Sequence, residues 1–257
     1  MRFTHAIVRP PAPNFADGLT TAGLGPPDYE LALKQHERYC FALQQCGLAL
    51  TRLPPDPSHP DSTFVEDTAI LTPRGAMLTR PGAPSRLGEV AGMREILTRF
   101  YPTLASIQAP GTLDGGDVCD AEGHFFIGIS ERTNEEGAQQ LAEWLAQLGY
   151  ASTSVDIRRL PGLLHLKSGL AYLGDNRLVV VDTLADQAAF HGYELVRVPV
   201  GEEYAANCVR VNEHVLVAAG YPMLETLIRN LGYPVIVLDV SEYRKMDGGL
   251  SCLSLRF

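Results

Sequence analysis

A cysteine, a histidine and a set of acids carry the chemistry open to this sequence. Cys252 follows Asp247-Gly-Gly, a tight turn that can present a thiol at a strand edge, and a thiolate is a soft, strong nucleophile. His165 lies four residues beyond Pro161, as Asp114 lies four beyond Pro110, and the Lys-Ser-Gly after it reads as a turn. An imidazole there can act first as general acid and then as general base. The competing reading is a core histidine satisfied by a backbone carbonyl, since Leu163, Leu164 and Leu166 surround it. Asp61, Glu66, Asp67, Asp114 and Asp117 fall in polar stretches that follow short apolar strands. Carboxylates gathered in one place repel each other unless a cation enters. A guanidinium is the natural guest, because its planar fork donates bidentate hydrogen bonds. Neighbours 66 and 67 point to opposite faces if they lie on a strand, so only part of this set is expected to line a pocket. Arg86 and Arg132 sit in loops, where they can clamp a carboxylate or face water.

Other chemistries find little support. Cys40, Cys46, Cys119 and Cys208 read as core residues, and the odd cysteine total of 5 fits a reducing compartment, so a cytoplasmic location is expected. No Cys-x-x-Cys pair or His-Glu-x-x-His helix occurs, so no metal site is indicated. Gly23-Leu-Gly25 begins like a dinucleotide fingerprint but runs into two prolines. The formal net charge of −9, with no Lys/Arg run, argues against nucleic acid or an anionic membrane as partner. Apolar runs are far too short to span a bilayer, and Met1-Arg-Phe-Thr-His does not read as a leader.

The elements that must position these residues repeat five times. Stops at Gly47, Tyr101, Gly149, Gly192 and Gly232 are each followed by a short apolar strand, and four of those strands run into Pro54, Pro110, Pro161 or Pro199. Helical patterns cover about 28–45, 134–149 and 223–231, and apolar strands precede them at 124–129, 178–182 and 214–218. Each unit is thus strand, strand, helix, strand. The first strand, at 6–9, and the last, at 253–257, complete one unit between them and close a ring. With no linker or shift in composition, residues 1–257 are expected to form a single α/β domain. The Pro/Gly-rich stretch 10–27 reads either as a mobile loop over the site or as a plain connection.

Five segments carry a resemblance to a known family: Phe64-Val-Glu-Asp67, Leu113-Asp-Gly-Gly-Asp117, Leu164-His-Leu-Lys-Ser-Gly-Leu-Ala-Tyr172, Tyr204-Ala-Ala-Asn-Cys208, and the run from Ser241 through Met246-Asp-Gly-Gly-Leu-Ser-Cys252 to Phe257. In family order and across the whole chain, they resemble the dimethylarginine dimethylaminohydrolases, among the guanidino-group modifying enzymes. The resemblance implies a five-bladed α/β propeller with pseudo-fivefold symmetry and a central active-site channel. It also implies hydrolysis of asymmetric dimethylarginine or monomethylarginine to citrulline and a methylated amine, without metal or organic cofactor, by a monomer or homodimer. Carried over by position, Cys252 resembles the nucleophile and His165 the general acid/base. Asp114 resembles the acid that orients the histidine and touches the guanidinium; some members have Glu there. Asp61, Glu66 and Asp67 resemble substrate-binding acids, beside Phe64. Arg86 and Arg132 resemble the clamps on the amino acid's carboxylate, Leu19 falls in the family's lid, and Met246 marks a backbone contact near the nucleophile. Arginine deiminases and amidinotransferases share this constellation, and a noncatalytic propeller binding protein is the alternative of another class.

Overall fold

The computed structural model describes residues 2–257, so Met1, which opens the segment read above for a leader, lies outside them. The chain divides into two compact units. One joins the segment ending at Val65 to Val198–Phe257, and the other is Glu66–Arg197.

Every sheet among the described residues is built alike: three strands, the middle one antiparallel to the first and parallel to the third. An antiparallel pair needs only a tight turn, whereas a parallel pair needs a crossover. The turns follow that rule, with left-handed backbone at Glu122-Gly123 (φ 55° and 97°) and at Asp175-Asn176 (φ 52° and 60°). The Glu66–Arg197 unit holds three such sheets: Ala69–Thr72, Gly75–Leu78 and Leu104–Ser106; Val118–Ala121, His124–Ile129 and Ala151–Asp156; Leu170–Gly174, Arg177–Val180 and Glu194–Arg197. The other unit holds two: Val209–Val211, His214–Ala218 and Val235–Leu238, then Leu255–Arg256, His5–Val8 and Ala49–Arg52. In the last, His5–Val8 is the middle strand and Leu255–Arg256 its antiparallel partner, so strands from the two ends of the chain share a sheet as the sequence implied.

The crossovers carry the helices. Tyr29–Gln45 starts where the Asp28 carboxylate accepts from Leu31 N at 2.9 Å, and Glu135–Gln147 where the Asn134 amide oxygen accepts from Gly137 N at 2.8 Å. In the crossover before Gly192 the helix shrinks to Asp182–Ala185 and a 3-10 turn, because the chain between Val180 and Glu194 leaves no room for more. Buried faces complete a core within each unit: Phe15, Tyr39, Leu43 and Tyr243 in one, and Leu113, Phe125, Ile127, Leu141 and Leu145 in the other.

The repeat also fixes where the chemistry falls. A 3-10 turn leads into the first strand of each sheet: Val65–Thr68, Gly115–Asp117, Leu166–Ser168, Glu203–Ala206 and Ser251–Leu253. Glu66, Asp67, Asp114, Asp117, His165, Asn207 and Cys252 lie in these turns or next to them, whereas Asp61 lies in the preceding 3-10 turn, Pro60–Thr63. Glu66 and Asp67 therefore sit on a turn, not a strand, and both are buried, so the expected division between two faces does not occur.

Candidate active site

In the Glu66–Arg197 unit a buried ionic network surrounds His165. Asp117 is fully buried and accepts four donors. Its Oδ2 takes Ser130 Oγ and Thr133 Oγ1, each at 2.7 Å, and His165 Nδ1 at 3.2 Å. Its Oδ1 takes Leu166 N at 2.9 Å. An ionised carboxylate only accepts, so Nδ1 carries a proton and Nε2 is the atom left for proton transfer. Nε2 lies 3.9 Å from Asp114 Oδ2, beyond hydrogen-bond reach. The acid bonded to the histidine ring is thus Asp117, while Asp114 faces the working nitrogen. Asp114 is held by Gly82 N on Oδ1 at 2.8 Å and through its own N–H on Thr133 Oγ1 at 3.1 Å.

Asp67 anchors the other side. Its Oδ1 accepts from Gly116 N at 2.8 Å and its Oδ2 from Arg86 Nη1 at 2.6 Å. Arg86 also donates to Glu89 through Nε at 3.0 Å and Nη2 at 2.9 Å, so this arginine is buried and ion-paired rather than a solvated loop charge. Glu66 pairs with Lys167 Nζ at 2.6 Å. Arg132 is half-buried, its backbone so close to Gly82 that a Cβ there would lie 2.2 Å from the Arg132 carbonyl oxygen. That contact fixes the stretch that also supplies Ser130 and Thr133.

The glycines of Asp114-Gly-Gly-Asp117 let these side chains converge. A Cβ on Gly115 would lie 2.0 Å from the carbonyl oxygen of Glu66, and one on Gly116 would lie 2.9 Å from the His165 ring. Backbone cannot swing aside as a long side chain can. Gly115→Ala is therefore expected to cost about 1–3 kcal/mol, read as a lower urea midpoint with an unchanged m-value.

Charge decides protonation here. Burial pulls the His165 pKa down, but Asp117, Asp67 and Asp114 overcome it and raise it to about 9, so the ring is an imidazolium at neutral pH. Burial, reinforced by Asp67, pushes Asp114 up to about 7 against the pull of His165 and Arg86. Burial would raise Asp67 as well, yet Arg86 and His165 hold it down at about 2. Asp114 Oδ2 has no hydrogen-bond partner among the described residues, which leaves a buried acceptor that a donor would stabilise. Asp67, Asp114 and His165 offer atoms within 4.8 Å of one another, as a metal site would. A metal would need the imidazole neutral, however, and the surrounding carboxylates keep it charged. The set better suits a cation that donates hydrogen bonds.

In the other unit the segment before Cys252 is clamped. Cys252 is half-buried, whereas the remaining four cysteines are buried; burial raises the thiol pKa to about 11 for Cys40 and Cys46 and about 12 for Cys119. Phe64 lies against Gly248, where a Cβ would come within 2.2 Å of its ring, and stacks edge-on with Phe15 and Tyr243. Phe64 thus shapes the turn before Cys252 from within the core. Met246 is also a core residue, with its Sδ-methyl beside Gly18. Asp61 accepts Leu19 N on both oxygens, at 3.1 and 3.2 Å. Thr21 donates to Asp247 Oδ2 through N at 2.5 Å and Oγ1 at 3.1 Å, and Thr20 Oγ1 donates to Lys245 O at 2.8 Å. The 10–27 stretch is therefore tied to the segment bearing Cys252, with Leu19 still 42% exposed.

Reading by residue type missed Glu89, Ser130, Thr133, Lys167 and Ser251, and left Asp117 without a role. The spacing of Ser130 and Thr133, two hydroxyls three apart beside a buried strand, was the available signal.

Known proteins resemble this chain in sequence and fold. The arginine deiminase family model matches residues 56–199, more than half of the chain. A curated relative, N(G),N(G)-dimethylarginine dimethylaminohydrolase of Pseudomonas aeruginosa, is 49% identical over 99% of this chain and 100% of its own. The Streptomyces coelicolor protein of that name is 36% identical over 98% of this chain and 96% of its own. Among solved structures, a cysteine-to-serine variant of the P. aeruginosa enzyme complexed with citrulline matches with a TM-score of 0.97 at 48% identity, covering 100% of both chains. The fold is thus that of the guanidino-group modifying enzymes, the five-bladed α/β propeller class that the resemblance implied. Within that class, the chain belongs to the dimethylarginine dimethylaminohydrolase family.

Proposed function

We propose that this chain hydrolyses asymmetric dimethylarginine and monomethylarginine to citrulline and dimethylamine or methylamine, through a covalent thiouronium on Cys252. As a family member it is a hydrolase of guanidino C–N bonds. The observation that carries the reading is the Asp67–Asp114–His165 cluster, where a buried carboxylate oxygen without a donor stands 3.9 Å from an imidazolium nitrogen. A guanidinium supplies N–H donors in one plane, and its leaving nitrogen needs a proton.

Cys252 attacks the guanidinium carbon, which resonance makes a poor electrophile, while Asp67, Asp114 and Glu66 hold the plane still. His165 gives its Nε2 proton to the departing amine. With Nε2 then neutral, it takes a proton from water, which attacks the thiouronium carbon and expels the thiolate as citrulline forms. Asp117 keeps the ring in the required tautomer through both steps. Arg86 and Arg132 are assigned to the substrate's carboxylate. Asp61 and Leu19 hold the covering loop, while Phe64 and Met246 set the shape of the turn before Cys252. The chemistry calls for no metal or organic cofactor, since the nucleophile, the proton donor and the charge stabilisation all come from side chains. Residues 1–257 act as one catalytic domain, as monomer or homodimer, and the odd cysteine count supports a reducing, cytoplasmic setting.

The arginine deiminase match gives unmethylated arginine as the second reading. Incubation with arginine, monomethylarginine and asymmetric dimethylarginine separates them by product. One methylated amine released per citrulline supports the proposal, and citrulline with ammonia from arginine alone supports the second reading.

A further inference from the structure

The turn at Cys252 is held by a second, unassigned group of side chains. Asn207 Oδ1 accepts the backbone N–H of Ser251 at 2.9 Å. A main-chain N–H can only donate, so this bond fixes which end of the Asn207 amide is oxygen. Asn207 Nδ2 must then be the donor to Ser251 Oγ, at 3.0 Å. Ser251 Oγ accepts there and lies 3.9 Å from Cys252 Sγ. Gly249 makes room for the clamp, since a Cβ at that position would lie 2.5 Å from Asn207 Oδ1.

Tyr204, on the same turn as Asn207, secures the other end of the segment. Its hydroxyl donates to Gly248 O at 2.8 Å, and Arg244 stacks over its ring with Cζ 5.0 Å from the centroid. Tyr204 and Cys252 pack against the same hydrophobic core. The stretch from Gly248 to Cys252 is thus pinned at both ends by one 3-10 turn, Glu203–Ala206, and the asparagine after it.

We propose that Asn207 and Ser251 form a positioning pair for the nucleophile: Asn207 orients the Ser251 hydroxyl so that its proton points to the Cys252 sulfur and stabilises the thiolate. A donor to an anion favours the charged form. The pair therefore lowers the thiol pKa without making a covalent bond. This inference rests on Cys252 being the nucleophile, so its test is read without turnover.

The test is the pH dependence of iodoacetamide alkylation of the native, substrate-free protein, followed by mass mapping of Cys252. The four other thiols are buried and serve as internal controls. Ser251→Ala and Asn207→Ala are each expected to move the alkylation midpoint up by about half to one pH unit, slowing the reaction at pH 7 by about three- to tenfold. Ser251→Thr, which keeps the hydroxyl, should restore the native midpoint. Thermal melting identifies any variant that merely unfolds. A native midpoint in a folded Ser251→Ala variant overturns the proposal, as does an equal upward shift in Ser251→Thr. Citrulline formation by Cys252→Ala overturns the nucleophile assignment itself, a result these alkylation curves cannot produce.

Discussion

Cys252→Ala is expected to lower citrulline formation by at least about ten-thousand-fold while leaving the melting temperature within a few degrees of the native value. The large effect follows from covalent catalysis: without a sulfur, no thiouronium forms, and water must attack an unreactive guanidinium carbon directly. The small structural effect follows from exposure. Cys252 is the half-buried cysteine of the five, on a turn already held by Asn207, Tyr204 and Phe64, so trimming its side chain opens no core cavity. Substrate binding should survive, because the carboxylates that hold the guanidinium are untouched. Isothermal titration with asymmetric dimethylarginine, beside a citrulline assay, checks both halves. Turnover within tenfold of native would remove Cys252 from the mechanism.

Asp117→Asn is expected to be nearly as damaging, although this residue touches no substrate in the proposed mechanism. Leu166 N–H on one oxygen and His165 Nδ1–H on the other can only donate, so an amide nitrogen turned either way leaves two donors facing each other in a buried site. Meeting the amide also favours the wrong imidazole tautomer, and kcat should fall about a hundred- to ten-thousand-fold. The pH profile carries the sharper signature. In the native protein burial lowers the His165 pKa, while Asp117, with Asp67 and Asp114, raises it to about 9. Because the folded value lies above the ordinary 6.5, the imidazolium contributes stability that is fully present below about 6.5 and is lost as pH rises through about 9. Without the Asp117 charge, burial gains ground and the pKa falls. The basic limb of kcat then moves to lower pH, and the stability loss between about 6.5 and 9 shrinks. Urea denaturation across that interval, with steady-state rates over the same range, measures both. An unmoved basic limb would show that Asp117 is not what keeps the ring charged.

Much of the fold was legible because its punctuation is physical. Asp28 and Asn134 cap helices through side-chain oxygens, and Gly47, Gly149 and Gly232 leave helices with φ of 91°, 79° and 93°, backbone that glycine adopts without strain. Alternation and apolar runs marked the strands at 124–129 and 214–218 to the residue. The reduced helix before Gly192 escaped notice because the repeat implied an element that its short crossover cannot hold.

Of the site, residue type revealed the ionisable members but not their wiring. Asp114 and Asp117 look equivalent in Asp-Gly-Gly-Asp, and only the 3-10 turn decides that Asp117 reaches Nδ1 while Asp114 faces Nε2 across 3.9 Å. Arg86 read as a loop charge because its loop is Pro/Gly-rich; its partner Glu89 lies at the start of the next helix, where an acid is ordinary. Ser251 and Asn207 are too common in turns for spacing to single them out.

In the proposed reaction Cys252 and His165 act in sequence on one guanidino carbon. S-methyl-L-thiocitrulline tests this, since its methanethiol leaving group departs without needing a strong acid. In a His165→Gly variant of this chain, attack should proceed while hydrolysis stalls for want of a base. Intact-mass and peptide analysis after acid quench should then show one adduct per chain, confined to the peptide bearing Cys252. An unmodified Cys252, an adduct on another residue, or citrulline release at the native rate would contradict the account.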